Sequence, residues 1–103
     1  MQPGYIYKLE FPYEDGQGSK NRPVLILVLS EDKGKALGLK ITGTSRSNRI
    51  EIKNSPNSGL NKVSHVQFDR YAFFDNISKT PLGKLSADDM KEIVKHFSAY
   101  HDV

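Results

Sequence analysis

The sequence contains no cysteine among its 103 residues. That absence excludes a disulfide framework, thiol chemistry and a zinc-thiolate site. No apolar run approaches the ~18 residues of a membrane span, and the N-terminus lacks the basic-then-apolar pattern of a secretory signal. A cytoplasmic protein with no membrane contact is the expectation. The three histidines, His65, His96 and His101, are scattered without ligand spacing, so no metal site is expected. Asp15-Gly16-Gln17-Gly18-Ser19-Lys20 has the composition of a phosphate loop. However, the Walker spacing is missing and a strand pattern follows it instead of a helix. There is no G-x-S-x-G elbow and no Ser/His/Asp pattern. No cofactor is expected. Acidic charge is slightly short, with 12 Asp and Glu against 15 Lys and Arg. The resulting +3 charge and pI near 9.2 lean towards polyanionic partners.

What is present is a globular balance of 37% hydrophobic and 26% charged residues, which argues against disorder. The chain has the length of one domain, residues 1–103, able to bury roughly two-thirds of its unfolded surface. Its most hydrophobic stretch, Val24 to Ser30, follows the polar segment Ser19-Lys20-Asn21-Arg22-Pro23. Proline is tolerated at the first residue of a strand, and the apolar run suits a central strand covered on both faces. Arg22 is then placed at the rim of the best-ordered element.

Tyr5 to Phe11 alternates, with Tyr5, Tyr7, Leu9 and Phe11 on one face and Lys8 and Glu10 on the other. Tyr13 to Asn21 reads as a loop freed by Gly16 and Gly18. Ala36 to Thr44 alternates again, and its Gly38, Lys40, Thr42, Thr44 face is expected to be open. A basic, hydroxyl-rich turn from Gly43 to Arg49 precedes a short strand with Ile50 and Ile52 inward. Asn54 to Gly59 is the strongest loop signal. Two strands near residues 62–68 and 70–74 follow, with a bend or bulge around Phe68-Asp69-Arg70. Residues 77–85 form a turn or a brief strand. The last element is a helix capped by Ser86, with Asp88 and Asp89 in its first turn. Met90, Ile93, Val94, Phe97 and Tyr100 fall on one docking stripe. The pattern predicts a mainly β fold of about six short, mostly antiparallel strands with a C-terminal helix, a small barrel or strongly bent sheet.

Chemistry-bearing residues are cationic and hydroxylic: Lys20, Arg22, Lys40, Thr42, Thr44, Ser45, Arg46 and Arg49, with Glu14, Asp15 and Asp69 as acids. Arginine presents a planar fork matched to phosphate oxygens, and threonine adds a short donor. Such a set can bind a phosphodiester and stabilise charge in its transition state. RNA carries its own nucleophile, the 2′-OH, so a base, an acid and an oxyanion stabiliser suffice for cleavage.

On these residues the sequence resembles the MazF/PemK family of toxin endoribonucleases. The resemblance is carried by Phe11-Pro12, by S-K-N-R-P-V-L-I-L from Ser19 to Leu27, and by L-K-I-T from Leu39 to Thr42. It continues through S-G-L from Ser58, K-V-S-H-V-Q-F-D from Lys62 to Asp69, and L-G-K-L-S-x-x-D-M from Leu82 to Met90. It implies an SH3-like barrel, a homodimer, metal-independent cleavage of single-stranded RNA, and neutralisation by a cognate antitoxin peptide lying in the RNA groove. By position, Arg22 matches the family's catalytic arginine and Thr42 its catalytic threonine. Asp69 falls where some members have an acid implicated in catalysis, and Gln67 where some have a catalytic arginine. Glu14, Asp15 and Lys20 are expected to help through a loop closing over RNA; Lys40, Thr44, Ser45, Arg46 and Gln67 complete the expected RNA contacts. The general base and acid are left open. The alternative from another class is a non-catalytic binding module, or a gyrase-directed toxin, on the same barrel.

Overall fold

Strand β1 (Tyr5–Pro12) confirms the first alternation: Tyr7, Leu9 and Phe11 are buried while Lys8 and Glu10 are exposed. The computed structural model describes residues 1–103. β1 pairs antiparallel with β2 (Ser19–Leu29) from Ile6↔Leu25 to Pro12↔Ser19. β2 therefore begins before the proline, and the connection shrinks to Tyr13–Gly18. A polar strand end has no apolar signature, so the reading of Tyr13 to Asn21 as loop is corrected here. Pro23 is accommodated because the ladder with the next strand starts only at Val24, leaving β2 an edge strand at that point. Val24, Leu25 and Ile26 are sealed on both sides, but a bulge between Ile26 and Val28 turns the strand, and Val28 is half exposed. The expected double cover thus holds for only part of the strand.

β3 (Lys35–Thr42) pairs with β2 along one edge. Its other edge is shared: β6 (Ala72–Asp75) takes Lys35 to Gly38, and β5 (His65–Gln67) takes Ile41 and Thr42. The bend expected near residues 68–70 is what separates these two partners. β5 is shorter than the 62–68 pattern suggests because its outer neighbour β4 (Arg49–Glu51) offers only three residues to pair. β7 (Gly83–Lys84) closes onto β1. The sheet runs β4-β5-β3-β2-β1-β7, antiparallel throughout, and curls into a half-barrel within 30 × 29 × 27 Å. The β4 and β7 edges do not pair.

Helix α1 (Ala87–His101) packs on one face of the sheet, bringing Ile93 and Phe97 into one core with Ile6, Leu25, Leu39, Ile41 and Val66. The stripe is narrower than expected, since Val94 and Tyr100 face outward. Ser86 caps the helix by accepting from the Asp89 N–H at 3.2 Å. The buried Asp89 carboxylate in turn accepts from the backbone N–H of Lys53 (3.2 Å) and Asn54 (2.9 Å), tying the long loop to the helix start. Gly59 (φ 75°) is needed there, because a Cβ would sit 2.0 Å from the Leu82 carbonyl oxygen. A second core of Tyr7, Leu9, Phe11, Val24, Ile26 and Ala36 lies on the opposite face of the sheet, with Phe74 packed on it. No helix is long and apolar enough to cross a membrane.

Candidate functional site

The second core stops at one end of β2 and β3, and the site begins where it stops. Val24 faces Lys40 at the end of the ladder, and two residues further along each strand Arg22 and Thr42 lie on that same face and line one groove. Thr42 is also directly across from His65, and Gln67 from Arg49. One row therefore reads Arg22, Thr42, His65, Glu51, and the next reads Val24, Lys40, Gln67, Arg49. Regular cross-strand spacing of about 5 Å keeps neighbours within each row in reach of a common ligand. The expectation that the whole β3 face is open is corrected by Ala36 and Gly38, both buried. A Cβ on Gly38 would lie 2.6 Å from Val24 Cγ1 and 2.8 Å from Phe74 Cε1, so that half of the face is plugged.

Hydrogen bonds fix the polar half. The Arg49 guanidinium donates from Nε to Gln67 Oε1 at 3.2 Å and from Nη1 to the Thr44 carbonyl at 2.8 Å. Gln67 passes the link on, donating through Nε2 to Glu14 Oε1 at 3.4 Å. Asn48 donates to Asp69 Oδ2 at 2.9 Å, and the other oxygen of Asp69 is buried without a partner. Arg70 lies over the Phe11 ring at 5.2 Å and donates to the Tyr13 carbonyl at 2.9 Å, which anchors the hairpin tip. Asp15 serves that tip, accepting from the Gln17 N–H at 2.8 Å. Thr42 Oγ1 receives a long contact from the Thr44 N–H at 3.4 Å. His65 is nearly buried, and its Nδ1 has no hydrogen-bond partner.

Electrostatically this end is a concentration of like charge. Burial, then Arg22 and Arg49, hold the Lys40 ammonium below the ordinary lysine range, with Glu14 opposing. Burial, then Arg46 and Arg22, also lower Arg49, against the attraction of Asp69 and Glu14. The one ion pair in the structure, Lys35 with Asp75, is at the far end of β3. Cations crowded here, with Glu14 and Asp69 near but in no ion pair with them, suit a polyanion.

Of the residues expected from sequence, Arg22, Thr42, Lys40, Gln67, Glu14 and Asp69 gather on this face, with Arg46 near Arg49. Lys20 and Thr44 line the adjoining groove, and Ser45 stays exposed in the turn. The sequence reading missed Asn48 and Arg70 as members, and noted Arg49 without assigning it to the site. Strand alternation beginning at Arg49 could have flagged it; Asn48 and Arg70 arrive only through the tertiary bend.

The sequence profile described as "PemK-like, MazF-like toxin of type II toxin-antitoxin system" matches residues 2–100. No curated protein sequence matches the chain. Among solved structures, Form-I MazF from Deinococcus radiodurans is similar at 18% identity and TM-score 0.75, over 100% of this chain and 97% of that one. An endoribonuclease in complex with its cognate antitoxin from a Mycobacterial species is similar at 17% identity and TM-score 0.72, over 98% and 94%. Mycobacterium tuberculosis toxin MazF-mt6 is similar at 21% identity and TM-score 0.69, over 96% and 97%. These likenesses establish a shared fold, and the profile spans almost the full length. The chain belongs to the PemK-like, MazF-like toxin family of type II toxin-antitoxin systems.

Proposed function

We propose that this protein is an endoribonuclease toxin that cleaves single-stranded mRNA without a metal ion. The observation that carries the reading is the placement of Arg22 and Thr42 in one groove, at the open end of a face whose cations are in no ion pair. In the proposed reaction the substrate 2′-oxygen attacks phosphorus, the O2′–P bond forms and the P–O5′ bond breaks. The products are a 2′,3′-cyclic phosphate and a 5′-hydroxyl. Arg22 clamps the non-bridging oxygens as negative charge builds, and the Thr42 hydroxyl donates to the same phosphate. A guanidinium keeps its proton and is a poor base, so proton transfer falls to other groups. Glu14, Asp69 and His65 are the titratable neighbours of this end able to exchange a proton. Lys20, Lys40, Thr44, Ser45 and Arg46 hold flanking nucleotides, and Asp15 shapes the hairpin tip beside them. Gln67, expected from sequence as an RNA contact, is buried and bonded to Arg49 and Glu14, and so positions those two instead.

The family also supports a cognate antitoxin whose peptide covers the same face, a homodimer, and action in the cytoplasm. The test is incubation of the purified protein with single-stranded RNA in EDTA, followed by end-group analysis. Cyclic phosphate ends that disappear in Arg22→Ala and Thr42→Ala support the reading. Intact RNA, or cleavage unaltered by both substitutions, overturns it.

A further inference from the structure

Arg22 and Thr42, with Lys20 and Thr44, also line a groove of about 700 Å³, whose Lys8 side belongs to the other face of β1 from the one that Arg22 shares with Leu9. Four cations line it, Lys8, Lys20, Arg22 and Lys62, and no carboxylate does. The groove between β4 and α1 is different in kind: Lys53, Lys91 and Lys95 are interleaved there with Glu51, Asp88, Asp89 and Glu92. The nearest acid on the Lys8 face of β1 is Glu10, and its carboxylate is engaged by the Ser19 hydroxyl at 2.9 Å. Lys62 is held close to the chemistry, since a Cβ built on Gly43 would lie 3.4 Å from its Cε and Nζ. Its ammonium is therefore folded over the residue that follows Thr42. Ile41, Leu60 and Leu82 are the apolar members of the lining; Ile41 is buried and Leu82 is 41% exposed.

We propose that this groove is a second arm of the RNA path, in which Lys8 and Lys62 hold phosphates on one side of the cleaved bond over a Leu60–Leu82 floor. The inference rests on the endoribonuclease reading for its substrate class. Lys40, Arg46 and Arg49 then form the first arm, and the strand crosses the Arg22–Thr42 pair between the two. Ammonium groups without counter-ions supply sequence-independent attraction to phosphates, and an apolar floor accepts the face of an unstacked base. Asn61, also in the lining, adds an amide able to reach a base edge or ribose hydroxyl.

Fluorescence anisotropy with a 2′-O-methyl RNA oligonucleotide, which lacks the attacking hydroxyl, tests the arm without cleavage. Each phosphate contact on a single strand contributes about 0.7 to the slope of log affinity against log salt. Wild type should therefore exceed Lys8→Ala/Lys62→Ala by about 1.4 in slope, so that its affinity advantage shrinks about sevenfold between ~50 and ~200 mM salt. The pair Lys91→Ala/Lys95→Ala, from the mixed groove, should leave the slope at the wild-type value. Equal slopes for wild type and Lys8→Ala/Lys62→Ala overturn the second arm even if the enzyme cleaves RNA. A lost slope together with intact RNA in the cleavage assay keeps the arm and rejects the catalytic reading.

Discussion

Ala36 and Gly38 look into a packed core, and Lys40 and Thr42, further along the same face of β3, look into an open cationic site. The backbone alternation is unbroken between them. What changes is the covering: Val24 and Phe74 close over the first half, and the second half is bordered by His65, Gln67 and Arg49. A single bend between β5 and β6 causes the change by giving β3 two different neighbours along one edge. Stability and function are thus separated along one strand by which residues stand opposite, and not by a change in the strand itself.

The sharpest way to break this comparison is at the open half. Arg22→Ala should lower kcat about 10²–10³-fold, the range for removing one donor to a developing oxyanion. Its unfolding midpoint in urea should be unchanged, because the guanidinium borders the core and takes no part in its packing. Thr42→Ala should behave alike with a smaller loss. A fall in the unfolding midpoint that accounts for the lost rate would mean that the two halves are not separable.

At the sealed half the expectation reverses. Gly38→Ala pushes a methyl into Val24 and Phe74, and overpacking of this sort costs about 1–3 kcal/mol. Chemical denaturation should report that loss, and activity per folded molecule should stay near wild type. A rate loss in folded Gly38→Ala would show that packing under Phe74 positions the Lys40 and Thr42 end as well.

Much of this division was legible beforehand, and the illegible part has a physical cause. Alternation placed Lys40 and Thr42 on the same face, and proline after a cation drew attention to Arg22. The Ser86 cap and the turn-rich Asn54 to Gly59 stretch were equally readable, being local chemistry. Alternation reports parity and says nothing of what covers a face, so the burial of Ala36 and Gly38 could not be read. The polar start of β2 at Ser19 is a strand only because β1 pairs with it, which is non-local. For the same reason Arg70, Asn48 and Lys62 could not be assigned to the site from their own segments.

The smallest effect expected is also the most specific to crowding. Burial, Arg22 and Arg49 depress the Lys40 pKa in the folded protein below its ordinary 10.5. Between the lowered value and 10.5 the unfolded chain carries more protons than the folded one, so stability attributable to this group rises with pH through that window. Below the window the cost of holding the charge is constant. Lys40→Met should therefore be slightly more stable than wild type at neutral pH, and the gap should close as pH climbs towards 10.5. RNA affinity should move oppositely: Lys40→Met binds the 2′-O-methyl oligonucleotide more weakly at neutral pH, and wild type approaches it as the ammonium deprotonates. Parallel denaturation and anisotropy series across pH would check both signs at once. A stability gap that stays constant or widens with pH would place the repulsion elsewhere than at Lys40, and would dissolve the trade between stability and binding at the open half of β3.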